Sequence, residues 1–307
     1  MSRHVVLGAG PVGRAIVQAL VKRGIEVDVV SRRGTVVDGA RSVAADVLDT
    51  DSLSRIVAGA GAVHQASQPE YHRWPGEFPA IQDSVVRAVR GTDTVLVVVE
   101  NMYGYGPVSG ALTEDLPLVA TGRKGKVRAE MWRSLQSESD AGRLKVTAGR
   151  ASDFFGPHVE GSAVGDRYFP RLLAGKKVEV MGDPGALHTY TYVGDFGESL
   201  VRLALDERSL GRAWHVPNAP TVSNRAFLET AASVAGVEPR SKRVGALSLK
   251  VAGLFIPAAR EVPEMLYEFE EDFVVDHSAY SAVFGDHSTP LDASLAITIE
   301  WWRRHSA

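Results

Sequence analysis

The segment Gly8-Ala-Gly10-Pro-Val-Gly13 follows a short apolar run, His4-Val-Val-Leu7, and opens a stretch of helical periodicity. No other feature narrows the available folds as much. Three glycines at this spacing, between a strand and a helix, make a turn that can hold phosphate. Gly8 permits the tight bend, and Gly10, with Pro11 and Val12 beside it, lets an anion approach the backbone. Gly13 lets the helix lie close to the strand, and N–H groups at the helix start supply the anion site. A glycine turn serving packing alone is the plainer alternative.

Beyond the turn the chain alternates between helical and strand character. Val12, Ile16, Ala19 and Leu20 recur at helical spacing up to Gly24, and Ile25-Glu-Val-Asp-Val-Val30 returns to strand character. Ser42–Ala45 and Ala62–His64 read as weaker strands around a helix over Ser52–Ala58. Thr94-Val-Leu-Val-Val-Val99 is a β-branched run suited to a central parallel strand covered on both faces. A helix is predicted over Lys124–Asp140, with Val127, Met131 and Leu135 on one face, and Leu144–Thr147 resumes the sheet. The alternation predicts an α/β fold, a Rossmann-type doubly wound parallel sheet with ligands beyond the carboxyl ends of its strands.

After Gly156-Pro157 the alternation weakens. Strands are predicted at Val178–Val180 and Ala213–Val216, and helices over 195–205, 223–235, 247–255, 260–270 and 290–303. At 307 residues a chain nears the size where one core divides. Residues 1–156 are therefore expected to form a nicotinamide-dinucleotide-binding domain, and 157–307 a smaller C-terminal substrate lobe with segments returning to the first.

Charge and composition set outer limits. The balance of 34 Lys plus Arg against 37 Asp plus Glu argues against a general nucleic-acid surface, though not against a local anion pocket. With no cysteine there are no disulfides and no thiolate ligands, and nine histidines form no short metal motif, so no metal is predicted. The opening MSRHVVLGAG reads as a strand entering a turn rather than a signal peptide. The apolar stretch Ala246–Ala259, interrupted by Lys250 and Pro257, is too short to span a bilayer. A cytoplasmic protein with no membrane partner is the expectation.

The second strand bears on the cofactor. Asp28 falls slightly early for the acid that holds ribose hydroxyls in NAD sites, and the strand tip reads Ser31-Arg32-Arg33. A hydroxyl and two guanidinium groups suit a 2′-phosphate, which favours NADP, with NAD still open. Asp46, at the next strand tip, would reach the adenine ring or cap a turn.

With these residues in view the chain resembles an atypical extended short-chain dehydrogenase/reductase of the epimerase/dehydratase branch. The likeness runs from the glycine turn through Arg150-Ala-Ser-Asp-Phe-Phe-Gly-Pro157 and Tyr190-Thr-Tyr-Val-Gly-Asp195 to Phe284-Gly-Asp-His-Ser-Thr-Pro-Leu291. The resemblance implies a nicotinamide-binding sheet, a substrate lobe and frequent dimers through the helices near 80–90 and 124–140. It also implies a Ser or Thr at the fifth strand tip and a Tyr-x-x-x-Lys pair. Matching places the lysine on Lys126, the tyrosine position on Gly122 and the hydroxyl position on Val99. Lys126 would still hold ribose; Gly122 can donate no proton.

Replacement groups are sought in the loops beyond the strands. Tyr103 or Tyr105 would protonate a developing alkoxide, with Asn101 orienting a carbonyl or water. The resemblance brings Asp153, Phe154 and Phe155 toward nicotinamide, and His188 and Tyr190 toward substrate. His158 reads as an acid/base or a structural side chain, Arg167 as a substrate contact or plain surface charge. The leading reading is an NADP-dependent oxidoreductase acting on a small or medium-sized carbonyl or alcohol. A nucleotide-sugar epimerase or dehydratase, and a non-catalytic NADP-sensing or protein-binding module, are the alternatives.

Overall fold

The structure, a computed structural model, describes residues 2–246 and 263–305; the helix expected over 247–255 lies outside the described residues. The first half alternates as the periodicity dictates: β1 (His4–Leu7), α1 (Pro11–Val21), β2 (Val27–Ser31), β3 (Arg41–Ala44), α2 (Thr50–Val57) and β4 (Ala62–Gln65). After β4 come α3 (Trp74–Val89), β5 (Val95–Asn101), α4 (Arg123–Asp140) and β6 (Lys145–Ala151). The pleat divides the apolar residues between two faces. Val5 and Leu7 pack with Leu53, Val85, Trp132 and Leu135. Val6, between them, packs with Ile16 and Leu20 on the opposite side.

The second half supplies β7 (Phe154–Phe155), α5 (Phe169–Leu173), β8 (Val178–Met181), β9 (Leu187–His188), β10 (Thr191–Tyr192), α6 (Val193–Leu205) and β11 (Ala213–His215). After β11 come β12 (Val222–Ser223), α7 (Asn224–Ala235), β13 (Ser241–Val244), α8 (Tyr267–Glu270), α9 (Ser278–Phe284) and α10 (Leu291–His305). Two of these elements return to the first half. β11 pairs in parallel with β6, which completes a seven-stranded sheet in the order β11-β6-β5-β4-β1-β2-β3, parallel throughout. α6 lies directly on α1 because residue 197 is glycine; an added Cβ there would fall 2.4 Å from the Ala15 carbonyl carbon. Asp195 lies inside the first turn of α6 and accepts from the Thr289 backbone N–H and hydroxyl, both at 2.7 Å. α5, β8, α7 and α10 pack around Phe155, Phe169, Phe227, Leu295 and Trp302, while α9 packs through Tyr280 against Leu203 and Trp214.

Candidate active site

A cleft of about 610 Å³ runs along the carboxyl ends of the parallel strands. Its floor is the glycine turn. Gly8 has φ +109°, and a Cβ on it would sit 2.9 Å from the Ala66 carbonyl group. A Cβ on Gly13 would fall 2.0 Å from the Gly8 oxygen, so α1 can begin this close to β1 only with glycine there. Gly10 differs: nothing lies within 4 Å of its missing Cβ, and its bare backbone faces the cleft with Pro11 and Val12 beside it. The first α1 N–H groups have no carbonyl four residues back inside the helix, so the turn presents donors to an anion.

At one end lie Ser31, Arg32, Arg33 and Asp46. The Ser31 hydroxyl oxygen accepts from the Thr35 N–H at 2.8 Å and keeps its own proton to donate. Asp46 accepts from the Leu48 N–H at 3.0 Å, which fixes a turn and leaves its second oxygen free of that bond. Asp28 does not line the cleft. It is buried in β2, where Arg41 (2.8 Å) and Arg3 bond its carboxylate. Arg41 first and Arg3 second hold that carboxyl below the usual carboxylate range.

The other end gathers the side chains with chemistry. Asn101 accepts from the Tyr103 N–H at 3.2 Å, and the Tyr71 hydroxyl donates to the Tyr103 hydroxyl at 3.4 Å. Both tyrosines line the cleft, and burial raises both phenols above their ordinary value. Tyr105 is buried outside it, its hydroxyl held between Arg150 (2.6 Å) and His215 Nε2 (2.7 Å).

Helix α4 corrects the placement of the lysine. Lys126 is exposed and absent from the cleft lining, so the ribose-holding role expected of it has no support in the geometry. Two residues along a helix turn the side chain by about 200°, so an exposed Lys126 puts positions 124 and 128 on the inward face. Lys124 is buried with its ammonium 4.4 Å from the Tyr71 ring centroid and 3.4 Å from Glu264. Glu264 also accepts from the Lys124 backbone N–H at 2.8 Å, and a Cβ on Gly122 would fall 2.5 Å from the same oxygen. Arg128 lines the cleft, donates to the Val99 carbonyl at 2.8 Å and pairs with buried Glu100 at 2.5 Å. Its Nε and Nη1 have no partner among the described residues. The inward-facing pair four residues apart is thus Lys124 and Arg128, of which Arg128 lines the cleft, and not Gly122 and Lys126.

The second half contributes less than the sequence suggests in some places and more in others. Asp153 lines the cleft, with one oxygen 3.2 Å from His188 Nε2. Phe154 lines it too, whereas Phe155 points away from it into the cluster around Phe169 and Phe227, at a centroid distance of 5.3 Å from Phe227. Alternate residues of an extended segment face opposite ways, so only one of the two rings can wall the cleft. His188 lies one layer behind, stacked on Phe269 at 4.4 Å, with Nδ1 donating to the Glu268 carbonyl at 2.8 Å. Tyr190 is buried and donates to Asn224 at 2.6 Å, away from the cleft. His158 stands outside it, against Trp301 at 5.0 Å in a left-handed backbone conformation with φ +65°. Arg167 is exposed and also outside. The acid/base role expected of His158, and the substrate roles expected of Arg167 and Tyr190, are therefore not met by their positions.

The sequence reading missed Glu268 and Phe273, both of which close the reactive end. Glu268 is 2% exposed. Burial first, and the nearby Asp153 charge second, push its carboxyl well above the ordinary range. No local pattern marks it, because α8 reaches the cleft only through the tertiary fold. Among the described residues no group of three or more His, Cys, Asp or Glu side chains could hold a metal ion, and no helix is long and apolar enough to cross a membrane.

Residues 4–216 match the model of the NAD dependent epimerase/dehydratase family. No curated protein matches the chain closely enough to count as a relative. Among solved structures, UDP-glucuronic acid 4-epimerase from Bacillus cereus in complex with NAD is similar at a TM-score of 0.78 and 14% identity, over 99% of this chain and 100% of that one. The Bordetella bronchiseptica enzyme WbmH in complex with NAD+ is similar at 0.75 and 18%, over 100% of both chains. dTDP-glucose 4,6-dehydratase from Bacillus anthracis in complex with NAD is similar at 0.78 and 13%, over 99% of this chain and 97% of that one. At these identities the likeness is one of fold.

Proposed function

Since this chain belongs to the NAD dependent epimerase/dehydratase family, an enzyme family, we propose that it is an oxidoreductase that binds NADP and acts on a small or medium-sized carbonyl or alcohol. The observation that carries the choice of cofactor is the state of β2. Its acid, Asp28, is neutralised by two arginines below the cleft, so it offers nothing to a ribose diol. The strand tip above it offers Ser31, Arg32 and Arg33. Two guanidinium groups suit a phosphate far better than a diol.

The residues fit the dinucleotide along its length. The open side of Gly10 admits a diphosphate to the α1 N-terminus. Ser31, Arg32 and Arg33 take the 2′-phosphate, and Asp46 the adenine edge. Arg128, with two buried N–H groups lacking partners among the described residues, takes ribose hydroxyls in place of Lys126. Bound there, the dinucleotide supplies hydride exchange. The protein orients a substrate oxygen with Asn101 and Tyr103 and keeps water out with Phe154 and Phe273. A cytoplasmic setting and a homodimer through α3 and α4 belong to the same reading.

Calorimetric titration of the wild type and the R32A/R33A double variant with NADP and with NAD tests it. Loss of the charge-assisted bonds should weaken NADP binding by about 1–3 kcal/mol and leave NAD binding nearly unchanged. Equal losses for both cofactors would refute the assignment.

A further inference from the structure

The family match ends at residue 216, yet a polar side chain from well beyond it closes the reactive end of the cleft. Glu268, from α8, lines the cavity at 2% exposure, and its Oε1 has no hydrogen-bond partner among the described residues. A buried carboxyl oxygen without a partner is costly to fold unless the group is neutral or has a ligand to meet, even with the Tyr267 hydroxyl beside the same carboxyl. Its backbone is fixed, since the Glu268 carbonyl accepts from His188 Nδ1 at 2.8 Å. We propose that Glu268 is the acid/base group of this cleft, exchanging a proton with the substrate oxygen in the role that the family pattern gives to a tyrosine.

The competing donors fit less well. Tyr103 lines the same space, but a phenol starts near 10 and burial drives it further from neutrality. Lys124 is engaged with Glu264 and the Tyr71 ring. His188 sits behind Asp153 rather than in the cleft. A carboxyl, by contrast, starts below neutrality, and burial first and the Asp153 charge second raise it, which favours the neutral, proton-donating form. Tyr267, Tyr71 and Tyr103 also interact with it, and His188 lies against its backbone carbonyl.

In the direction of reduction, the carbonyl carbon gains a hydride from the reduced dinucleotide and the C=O π bond breaks. The oxygen takes the Glu268 proton, which leaves the Glu268 carboxylate and an alcohol; a proton from water then restores the acid. Oxidation runs the same bonds backwards. This role rests on the dinucleotide-binding function proposed for the cleft.

Infrared spectroscopy of the whole protein at neutral pH, with and without NADPH, separates the two ideas. A protonated-carboxyl C=O band is expected in the wild type, missing in Glu268→Gln, and displaced when NADPH is added. If the glutamine variant fails to fold, Glu268→Asp should move the band instead of abolishing it. For any aldehyde or ketone that the wild type reduces with NADPH, Glu268→Gln should lose about 10²–10⁴-fold in kcat while NADPH affinity holds. A wild type without the band, a band the variants leave unchanged, or one indifferent to bound NADPH overturns the role of Glu268. A wild type that binds neither NADPH nor NADH overturns the dinucleotide reading instead, whatever the band shows.

Discussion

Lowering the pH from 6.5 to 4 should remove about 3 kcal/mol of folding stability through one side chain, His4. His4 lies in β1 at 2% exposure, with Nδ1 3.1 Å from Nε2 of fully buried His64. One imidazole must donate and the other accept, so the pair is satisfied only while at least one ring is neutral. Burial pulls the His4 pKa down to about 4 from 6.5. In the unfolded chain the ring protonates near 6.5, so between these values the unfolded state binds the extra proton. Stability is therefore whole above 6.5 and is lost as the pH falls toward 4. A shift of about 2.5 units at about 1.36 kcal/mol each gives about 3 kcal/mol, a large share of the 5–15 kcal/mol typical of a folded domain. Burial, and then His4, also pushes His64 down, which acts in the same direction. Guanidinium unfolding at a series of pH values should be compared between the wild type and His4→Asn, whose amide can stand where Nδ1 does. The wild-type curve should steepen below pH 6.5 and the variant's should be flatter, the difference being the His4 share. Parallel curves would refute the reasoning.

Gly10 and Gly13 should separate binding from folding. Gly10→Ala meets open space, so the melting temperature should hold while dinucleotide affinity, read by calorimetry, falls sharply. Gly13→Ala drives a methyl to 2.0 Å from the Gly8 oxygen and should cost about 1–3 kcal/mol in thermal or chemical unfolding. On α4, Lys126→Ala should change stability by less than about 0.5 kcal/mol and leave dinucleotide binding intact. Arg128→Ala should cost about 3–5 kcal/mol, since Glu100 is left buried and unpaired, and should also lose binding.

The parts of the fold set by local chemistry were legible. The run Val95–Val99 forms an interior strand, between β4 and β6, because its largely β-branched side chains suit a strand covered on both faces, and the glycine turn could be placed from spacing alone. The α4 register was not. Val127, Met131 and Leu135 give an acceptable apolar stripe, but the face that packs inward runs through Lys124, Arg128, Met131, Trp132 and Leu135. Two cations at the head of a buried stripe look like solvent-facing residues until Glu100, Glu264 and Tyr71 are brought to meet them. The same limit hid Glu268. His158 misled for the opposite reason: beside a proline and a glycine it looked poised at a cleft, but the turn sends it to Trp301.

β11 comes from the later half of the chain yet finishes the sheet begun by the earlier half. A single cut therefore cannot yield two self-sufficient pieces. A fragment stopping at Gly156 would strip β6 of its neighbour, leaving a bare rim of backbone donors and acceptors along Ala148, Gly149 and Arg150, and would uncover the flank of α1 that α6 protects. Such a rim is a template for self-association. Anyone grafting a foreign lobe onto this scaffold would have to carry residues 193–216 along with the first half.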